Sequence, residues 1–140
     1  MPHIYYELYY HVVWSTKRRE DIIDDDINKL LKEKVLFKIK ELGGKLLEFN
    51  SHMDHCHLLA TIPPHKINIS DFIGQIKGYS AYEINKIKGN QCLKWQQGYG
   101  ILSLSKKGLL FVKKYIQNQK KHHEKNDVIK ILEFVPEASE

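Results

Sequence analysis

The order of apolar and polar positions divides the first half of the chain into strand-like and helix-like stretches. Residues 3–16 are rich in aromatic and β-branched side chains, which favours a strand. Residues 22–42 have apolar side chains at helical spacing, and the glycines at 43–44 are typical of a helix C-terminus. Residues 45–49 and 55–62 again have strand character. The pattern therefore predicts a strand, a helix and then two strands.

The second half of the chain continues the alternation. Asn68 or Ser70 can cap a second helix, because their side chains accept hydrogen bonds from the first turn of a helix. Residues 92–104 predict a fourth strand, with glycines that could interrupt it. Ser105 can cap a third helix over about residues 106–125.

The resulting order, β-α-β-β-α-β followed by a helix, predicts an α+β fold of the ferredoxin-like type. Such a fold has one antiparallel sheet with two helices on one face. The third helix is left over, so it must pack on the other face of the sheet or on a partner. We expect a single domain over residues 1–135 and a loose tail over residues 136–140.

The composition restricts the size of the core, the compartment and the binding partners of the protein. The chain has 140 residues, of which 42% are hydrophobic, enough for one core. We find no apolar run long enough to cross a membrane, no signal peptide and no disulfide framework, and expect a cytoplasmic protein. The net charge of +5 is a weak indication of nucleic-acid binding. Basic residues nevertheless cluster at 17–19, 106–107, 113–114 and 120–123.

The main candidate chemistry is a pair of histidines on the third predicted strand. His55 and His57 flank Cys56, and successive residues of a strand point to opposite faces. Both imidazoles therefore share one face, while Cys56 points into the core. Two imidazoles on one face can begin a divalent metal site, although their spacing alone leaves a structural role open. Asp54 could hold one imidazole in position or could be a turn residue.

A second candidate group lies on the third predicted helix. Tyr115 and Gln119 are one turn apart and therefore share a helix face. Lys113 and Lys114 beside the tyrosine would favour a phosphate nearby. A phenol has a pKa near 10, so it attacks at neutral pH only with a metal, a base or a cationic field beside it. Gln119 offers a neutral oxygen ligand, and each of these residues could also be an ordinary helix residue.

Five motifs in order resemble the HUH single-tyrosine transposases. These are the TnpA enzymes of the smallest single-strand insertion sequences and their REP-associated relatives. The matching segments are residues 10–17, 54–59, 73–78, 95–100 and 115–119. The histidine pair alone is a weak motif, whereas five motifs in register are a strong signal. The sequence departs from the family at Met53, where a proline is frequent, and at Cys56, which is small for its position.

The resemblance implies a metal-dependent enzyme that cleaves and rejoins single-stranded DNA. His55, His57 and Gln119 would bind Mg²⁺ or Mn²⁺, which would polarise the scissile phosphate. Tyr115 would attack that phosphate and leave a 5′-phosphotyrosine and a free 3′-hydroxyl.

The resemblance also implies the partners of the protein. The family recognises DNA hairpins at the ends of its elements, and phosphate contacts would make the affinity sensitive to salt. The candidate DNA contacts are Arg18, Arg19, Lys77, Lys113 and Lys114. The family forms homodimers, in which the tyrosine helix of one subunit commonly serves the histidines of the other.

Three alternatives remain open at the level of sequence. The first is a domesticated or inactive hairpin-DNA-binding protein on the same scaffold. The second is a nucleotide hydrolase of the histidine-triad type, although Leu59 stands where that class needs a third histidine. The third is a structural zinc site of His52, His55, His57 and Cys56, which the strand pattern disfavours because Cys56 would face away from both His55 and His57. Metal preference would separate these alternatives.

Overall fold

A computed structural model of the chain describes residues 3–118. The elements are β1 (Tyr9–Ser15), α1 (Asp25–Glu41), β2 (Lys45–His52), β3 (His55–Thr61), α2 (Ile69–Lys88), β4 (Gly100–Leu104) and α3 (Lys106–Gln117). None of these helices is long and apolar enough to cross a membrane. Gln119, the later part of the predicted third helix and the predicted boundary at residue 135 lie outside the described residues.

The four strands form one antiparallel sheet in the order β2-β3-β1-β4. This confirms the predicted ferredoxin-like α+β arrangement. β3 and β1 are central, and β2 and β3 are joined by a turn of only Met53 and Asp54. The turn is shorter than the predicted connection over residues 50–54, because β2 continues beyond residue 49 to His52.

The two faces of the sheet carry separate apolar clusters. Side chains such as Val12, Trp14 and Cys56 pack with α1 and α2 in the larger core. On the opposite face, Leu59 packs with apolar side chains of α3, among them Ile116. The left-over helix therefore covers the other face of its own sheet. Because both faces are covered, polar residues of the central strands are also buried.

Side-chain caps begin the helices. Asn68 accepts a hydrogen bond from the backbone N–H of Asp71 at 2.8 Å, and Ser105 caps α3. Both caps agree with the sequence prediction. The first helix begins at Asp25 rather than at residue 22, because Asp24 has an extended backbone and caps the helix with its carboxylate.

The first and the fourth strand are shorter in the structure than the sequence predicts. Residues 3–8 have no strand structure, because the pairings of β1 with β3 and β4 both stop at Tyr9. Residues 92–99 contain only an isolated bridge, between Thr16 and Trp95. Their backbone groups bond instead to side chains of α2, among them Asn85, so β4 begins only at Gly100.

Candidate active site

The strand pairing fixes the position of the histidine pair. Ser15 lies opposite His55 and Val13 opposite His57 in the pairing of β1 with β3. The alternation of β3 sends both imidazoles to the face that α3 covers, while Cys56 lies in the core on the other face. The two imidazole centroids are 5.1 Å apart. The predicted division of faces is therefore present.

Tyr115 lies on the same face as the histidines. Its ring is 3% exposed, and its centroid is 6.0 Å from that of His57 with the ring planes at 73°. Val112 and Ile116 on α3 pack in the same cluster as Leu59 of β3, which holds this turn of the helix against the sheet. One chain therefore brings the candidate nucleophile and the histidine pair together, although they are far apart in sequence.

His55 is held by the residue before it. Asp54 Oδ1 lies 2.7 Å from His55 Nδ1, within a hydrogen bond. The backbone oxygen of Asp54 accepts a hydrogen bond from the N–H of Thr16 at 2.8 Å, and Arg19 lies 3.8 Å from its other carboxylate oxygen. Asp54 is thus both a turn residue and a partner of a candidate metal ligand, the two roles that its sequence position suggested.

The carboxyl group of Asp54 favours its ionised form. Burial alone would raise its pKa, but the hydrogen bond with His55 and the charges of His55 and Arg19 together outweigh burial and lower the pKa. An ionised carboxylate has no proton to donate, so it can only accept a hydrogen bond. With Asp54 ionised, the proton of the pair lies on Nδ1 of His55.

His11 of β1 is a member of the site that sequence reasoning left without a role. Its Nε2 lies 2.8 Å from Nδ1 of His57, and both imidazoles are almost completely buried. A histidine inside an apolar strand was the available signal. Its contact with His57 depends on the register of β1 against β3, which the sequence does not give.

The two imidazoles are donors of the kind that divalent metal ions accept. Nδ1 of His55 and Nδ1 of His57 are each engaged in a hydrogen bond, so Nε2 is the nitrogen that would coordinate. No group of three or more His, Cys, Asp or Glu side chains is placed to hold a metal within residues 3–118. A third ligand would therefore come from an amide oxygen, from the substrate, or from the residues beyond.

The structure contradicts the alternative of a structural zinc site. Cys56 is fully buried in the core on the face opposite to His55 and His57. Burial raises the pKa of its thiol well above the usual value, whereas zinc binds the thiolate. Cys56 is therefore a small apolar core residue.

The candidate DNA contacts occupy different environments. Arg18 and Arg19 follow each other in a 3₁₀ turn with φ values of 58° and 56°, which side chains other than glycine rarely adopt. This turn borders a cleft of about 260 Å³ whose lining includes Lys17, Arg18 and Lys94. Lys114 is exposed on α3.

Lys77 is directed inward rather than toward solvent. Its ammonium donates hydrogen bonds to the backbone oxygens of Gln96 at 2.8 Å and Gly98 at 2.9 Å. Burial lowers the pKa of Lys77 from 10.5 to about 8. In this structure the side chain fastens the irregular segment before β4 to α2.

Comparisons with known proteins identify the family. The sequence pattern described as "Transposase IS200 like" matches residues 4–119. The ISDra2 transposase TnpA of Deinococcus radiodurans is 28% identical over 122 residues, which cover 81% of this chain and 85% of that protein. The transposase for insertion sequence element IS200 of Salmonella typhimurium is 27% identical over 126 residues, covering 85% of this chain and 81% of that protein.

Solved structures agree in fold. A crystal structure of a Deinococcus radiodurans R1 protein described as a transposase has a TM-score of 0.67 and 26% identity, covering 85% of this chain and 95% of that one. A structure of a REP-associated tyrosine transposase bound to a REP hairpin has a TM-score of 0.61 and 15% identity. The match covers 94% of this chain and 77% of that one. This fold and this site together define a single-tyrosine transposase of the HUH class. The chain belongs to the IS200-like transposase family, so it is a DNA-binding protein of transposition and not a histidine-triad hydrolase.

Proposed function

We propose that this protein cleaves and rejoins single-stranded DNA through a 5′-phosphotyrosine on Tyr115. His55 and His57, with Gln119 as the third protein ligand, hold Mg²⁺ or Mn²⁺ in this proposal. The observation that supports it most directly is the position of Tyr115 against His57 in one buried site. Membership of a transposase family gives the reaction class.

The reaction exchanges one phosphate ester for another. The phenol oxygen of Tyr115 attacks the scissile phosphorus, so a phosphorus–oxygen bond to tyrosine forms and the bond to the 3′ oxygen breaks. That oxygen leaves with a proton as a 3′-hydroxyl. Attack by a second 3′-hydroxyl on the phosphotyrosine rejoins the DNA and releases the phenol. Because the number of ester bonds is unchanged, the reaction needs no ATP.

The residues of the chain prepare this exchange. The metal, when bound, supplies Lewis-acid polarisation of the phosphate oxygens. Asp54 holds His55 through a hydrogen bond at Nδ1, on the side of the imidazole away from the proposed metal-binding nitrogen. Imidazole is a good ligand for transition metals, whereas amide and phosphate oxygens suit Mg²⁺ and Mn²⁺. A ligand set that mixes imidazole nitrogens with amide and phosphate oxygens should bind Mn²⁺ more tightly than Mg²⁺.

DNA hairpins are the proposed binding partner. A structural relative is described in complex with a REP hairpin, although its 15% identity compares the fold alone. The basic turn with Arg18 and Arg19 and the lysines Lys113 and Lys114 are the proposed phosphate contacts. Each phosphate contact releases counterions from DNA, so binding weakens as salt increases. A cytoplasmic homodimer, folded as one domain to about residue 135, completes the proposal.

A covalent adduct tests the proposed function. The protein is incubated with Mn²⁺ and labelled single-stranded DNA from the flanks of its own gene, then analysed on a denaturing protein gel. We expect a labelled, slower band that disappears with EDTA and in Tyr115→Phe. Tyr79→Phe is the matched control, because Tyr79 stacks on Phe37 away from the site and should keep the band.

The same experiment separates the proposal from its alternative. Hairpin binding in a gel shift, with no adduct on any native flank, would identify a domesticated or inactive hairpin-DNA-binding protein. A band that survives in Tyr115→Phe would mean that another residue is the nucleophile.

A further inference from the structure

We infer that His11 is a positioning residue that keeps a proton on Nδ1 of His57 and so leaves Nε2 of His57 as the coordinating atom. The inference rests on the proposed role of His57 as a metal ligand. It goes further, because it assigns a role to a histidine on a different strand and fixes the position of one proton. The role is carried out through His57, not by contact with DNA.

The geometry of the histidine pair supports a directed hydrogen bond. Nε2 of His11 and Nδ1 of His57 are 2.8 Å apart, and the ring planes differ by only 6°. The ring centroids are 5.0 Å apart. If the rings were stacked face to face, a nitrogen–nitrogen distance of 2.8 Å would place the centroids much closer than that. The rings therefore meet edge to edge, with the donor and the lone pair near a common plane. This is the favourable arrangement for imidazole nitrogens.

Burial makes this hydrogen bond decisive. His11 is 1% exposed and His57 is 0% exposed, so bulk water does not compete for the nitrogens that face each other. A buried polar group that loses its hydrogen bond destabilises the folded protein, because no water takes the place of the lost partner. The pair is consequently held together, and the orientation of one ring depends on the other.

The count of protons decides which direction the hydrogen bond takes. Two neutral imidazoles share a single proton across this contact. If His57 donates from Nδ1, its Nε2 has a lone pair and can coordinate a metal. If His11 donates instead, the proton of His57 is on Nε2, which then has no lone pair to offer. Only the first arrangement agrees with a metal ligand, so His11 must accept at Nε2 and keep its own proton on Nδ1.

His55, the other proposed metal ligand, is also held by a hydrogen bond at Nδ1, but its partner is a carboxylate, that of Asp54. Each imidazole is therefore oriented from the same ring nitrogen. A neutral imidazole behind His57, rather than a second carboxylate, adds no negative charge beside a site that receives DNA phosphate.

Three variants separate an orienting role from packing. His11→Gln keeps an acceptor oxygen close to the position of Nε2, whereas His11→Leu fills the space without an acceptor. Val13→Ala is the packing control, because Val13 lies directly opposite His57 on the same face and makes no hydrogen bond through its side chain.

The first measurement is long-range ¹H–¹⁵N NMR of histidine-labelled, metal-free protein near pH 8, where a histidine of ordinary pKa is neutral. We expect the proton of His57 on Nδ1 in the wild type, His11→Gln and Val13→Ala, and a mixture of tautomers in His11→Leu. The second measurement is Mn²⁺ affinity by titration calorimetry. Loss of an outer hydrogen bond to a metal ligand costs about 10–100-fold, so we expect that loss in His11→Leu and near-wild-type affinity in His11→Gln.

Several outcomes would overturn the inference. A wild-type His57 with its proton on Nε2 would do so, as would unchanged tautomer and affinity in His11→Leu. If His11→Leu does not fold, a mixed tautomer in a folded His11→Gln would also overturn it, and a wild-type tautomer would support it. Failure of the wild type to bind Mn²⁺ would instead overturn the proposed metal site, while the metal-free NMR still decides the role of His11.

Discussion

At the residue scale, the site depends on groups that do not touch the reacting atoms. His55 is oriented by Asp54, which adjoins it in the sequence, and His57 by His11, which belongs to another strand. The first relation was visible in the sequence, because Asp54 directly precedes His55. The second was not, because a shift of one residue in the register of β1 would turn His11 to the other face.

Lys77 leads to a prediction about pH at the same scale. We expect an NMR titration of lysine side chains to give one midpoint at about 8, while ordinary lysines titrate near 10.4, because burial disfavours the ammonium of Lys77. Lys77→Met should remove that signal and no other. A midpoint near 10.5 would contradict the burial of this ammonium.

The sign of the effect on stability follows from proton binding. Between pH 8 and 10.5 the unfolded chain keeps the proton of Lys77 and the folded protein has lost it. The unfolded state then binds more protons, so the contribution of Lys77 to the free energy of unfolding increases as pH rises through this window. Denaturant titrations of wild type and Lys77→Met should therefore diverge in that direction.

At the element scale, α3 is fastened to β2 by its last turn. Asn50 donates hydrogen bonds from Nδ2 to the backbone oxygens of Ile116 at 3.1 Å and Gln117 at 3.4 Å. The last carbonyls of a helix have no partner inside the helix, so a side-chain donor satisfies them. Gln117 also donates to Glu48 at 2.8 Å. These contacts fix the turn that carries Tyr115.

Removal of this fastening should loosen α3. We expect Asn50→Ala to lower the free energy of unfolding by about 1 kcal/mol and to speed amide exchange in α3 more than in α1. Formation of the tyrosine adduct should slow in parallel, because Tyr115 shares that turn. Gln117→Ala is the control, since it removes only an exposed contact and should change the free energy by about 0.5 kcal/mol or less. Equal effects of both substitutions would contradict the role of Asn50.

The elements also show where sequence reasoning succeeds and where it fails. Helix spacing and the caps Asn68 and Ser105 were readable, because both are local signals. The strand content of residues 3–8 and 92–99 was wrong, because β propensity cannot tell whether a partner strand is present. In residues 92–99, side chains of α2 take the backbone hydrogen bonds that a strand would have used.

At the scale of the whole molecule, the tyrosine and the histidines of one chain form one site. Tyr115 contacts His57 of its own sheet, whereas the family resemblance implies that the tyrosine commonly serves a partner subunit. The sequence is compatible with both arrangements, since α3 could cover its own sheet or that of a second copy. Within one chain, Tyr115 lies beside His57, which is the first of these arrangements.

Mixed subunits test this arrangement. Tyr115→Phe and His57→Ala proteins are each expected to form no adduct. For a site assembled within one chain, which the position of Tyr115 beside His57 favours, we expect a mixture of the two to remain inactive after denaturation and refolding together. Wild type refolded with Tyr115→Phe is the control for recovery of activity. Activity in the mixture of the two variants would mean that the tyrosine acts on the histidines of the partner.

The packing of α3 also has a consequence for synthesis of the chain. A ribosome releases the sheet before it releases α3, because β4 precedes α3 in the sequence. Until then Leu59, Leu102 and Leu104 lack the helix that covers them, and the histidines lack the phenol. The nascent chain therefore acquires a covered second face and Tyr115, the proposed nucleophile, in the same step, so an incomplete chain lacks the tyrosine on which the proposed cleavage depends.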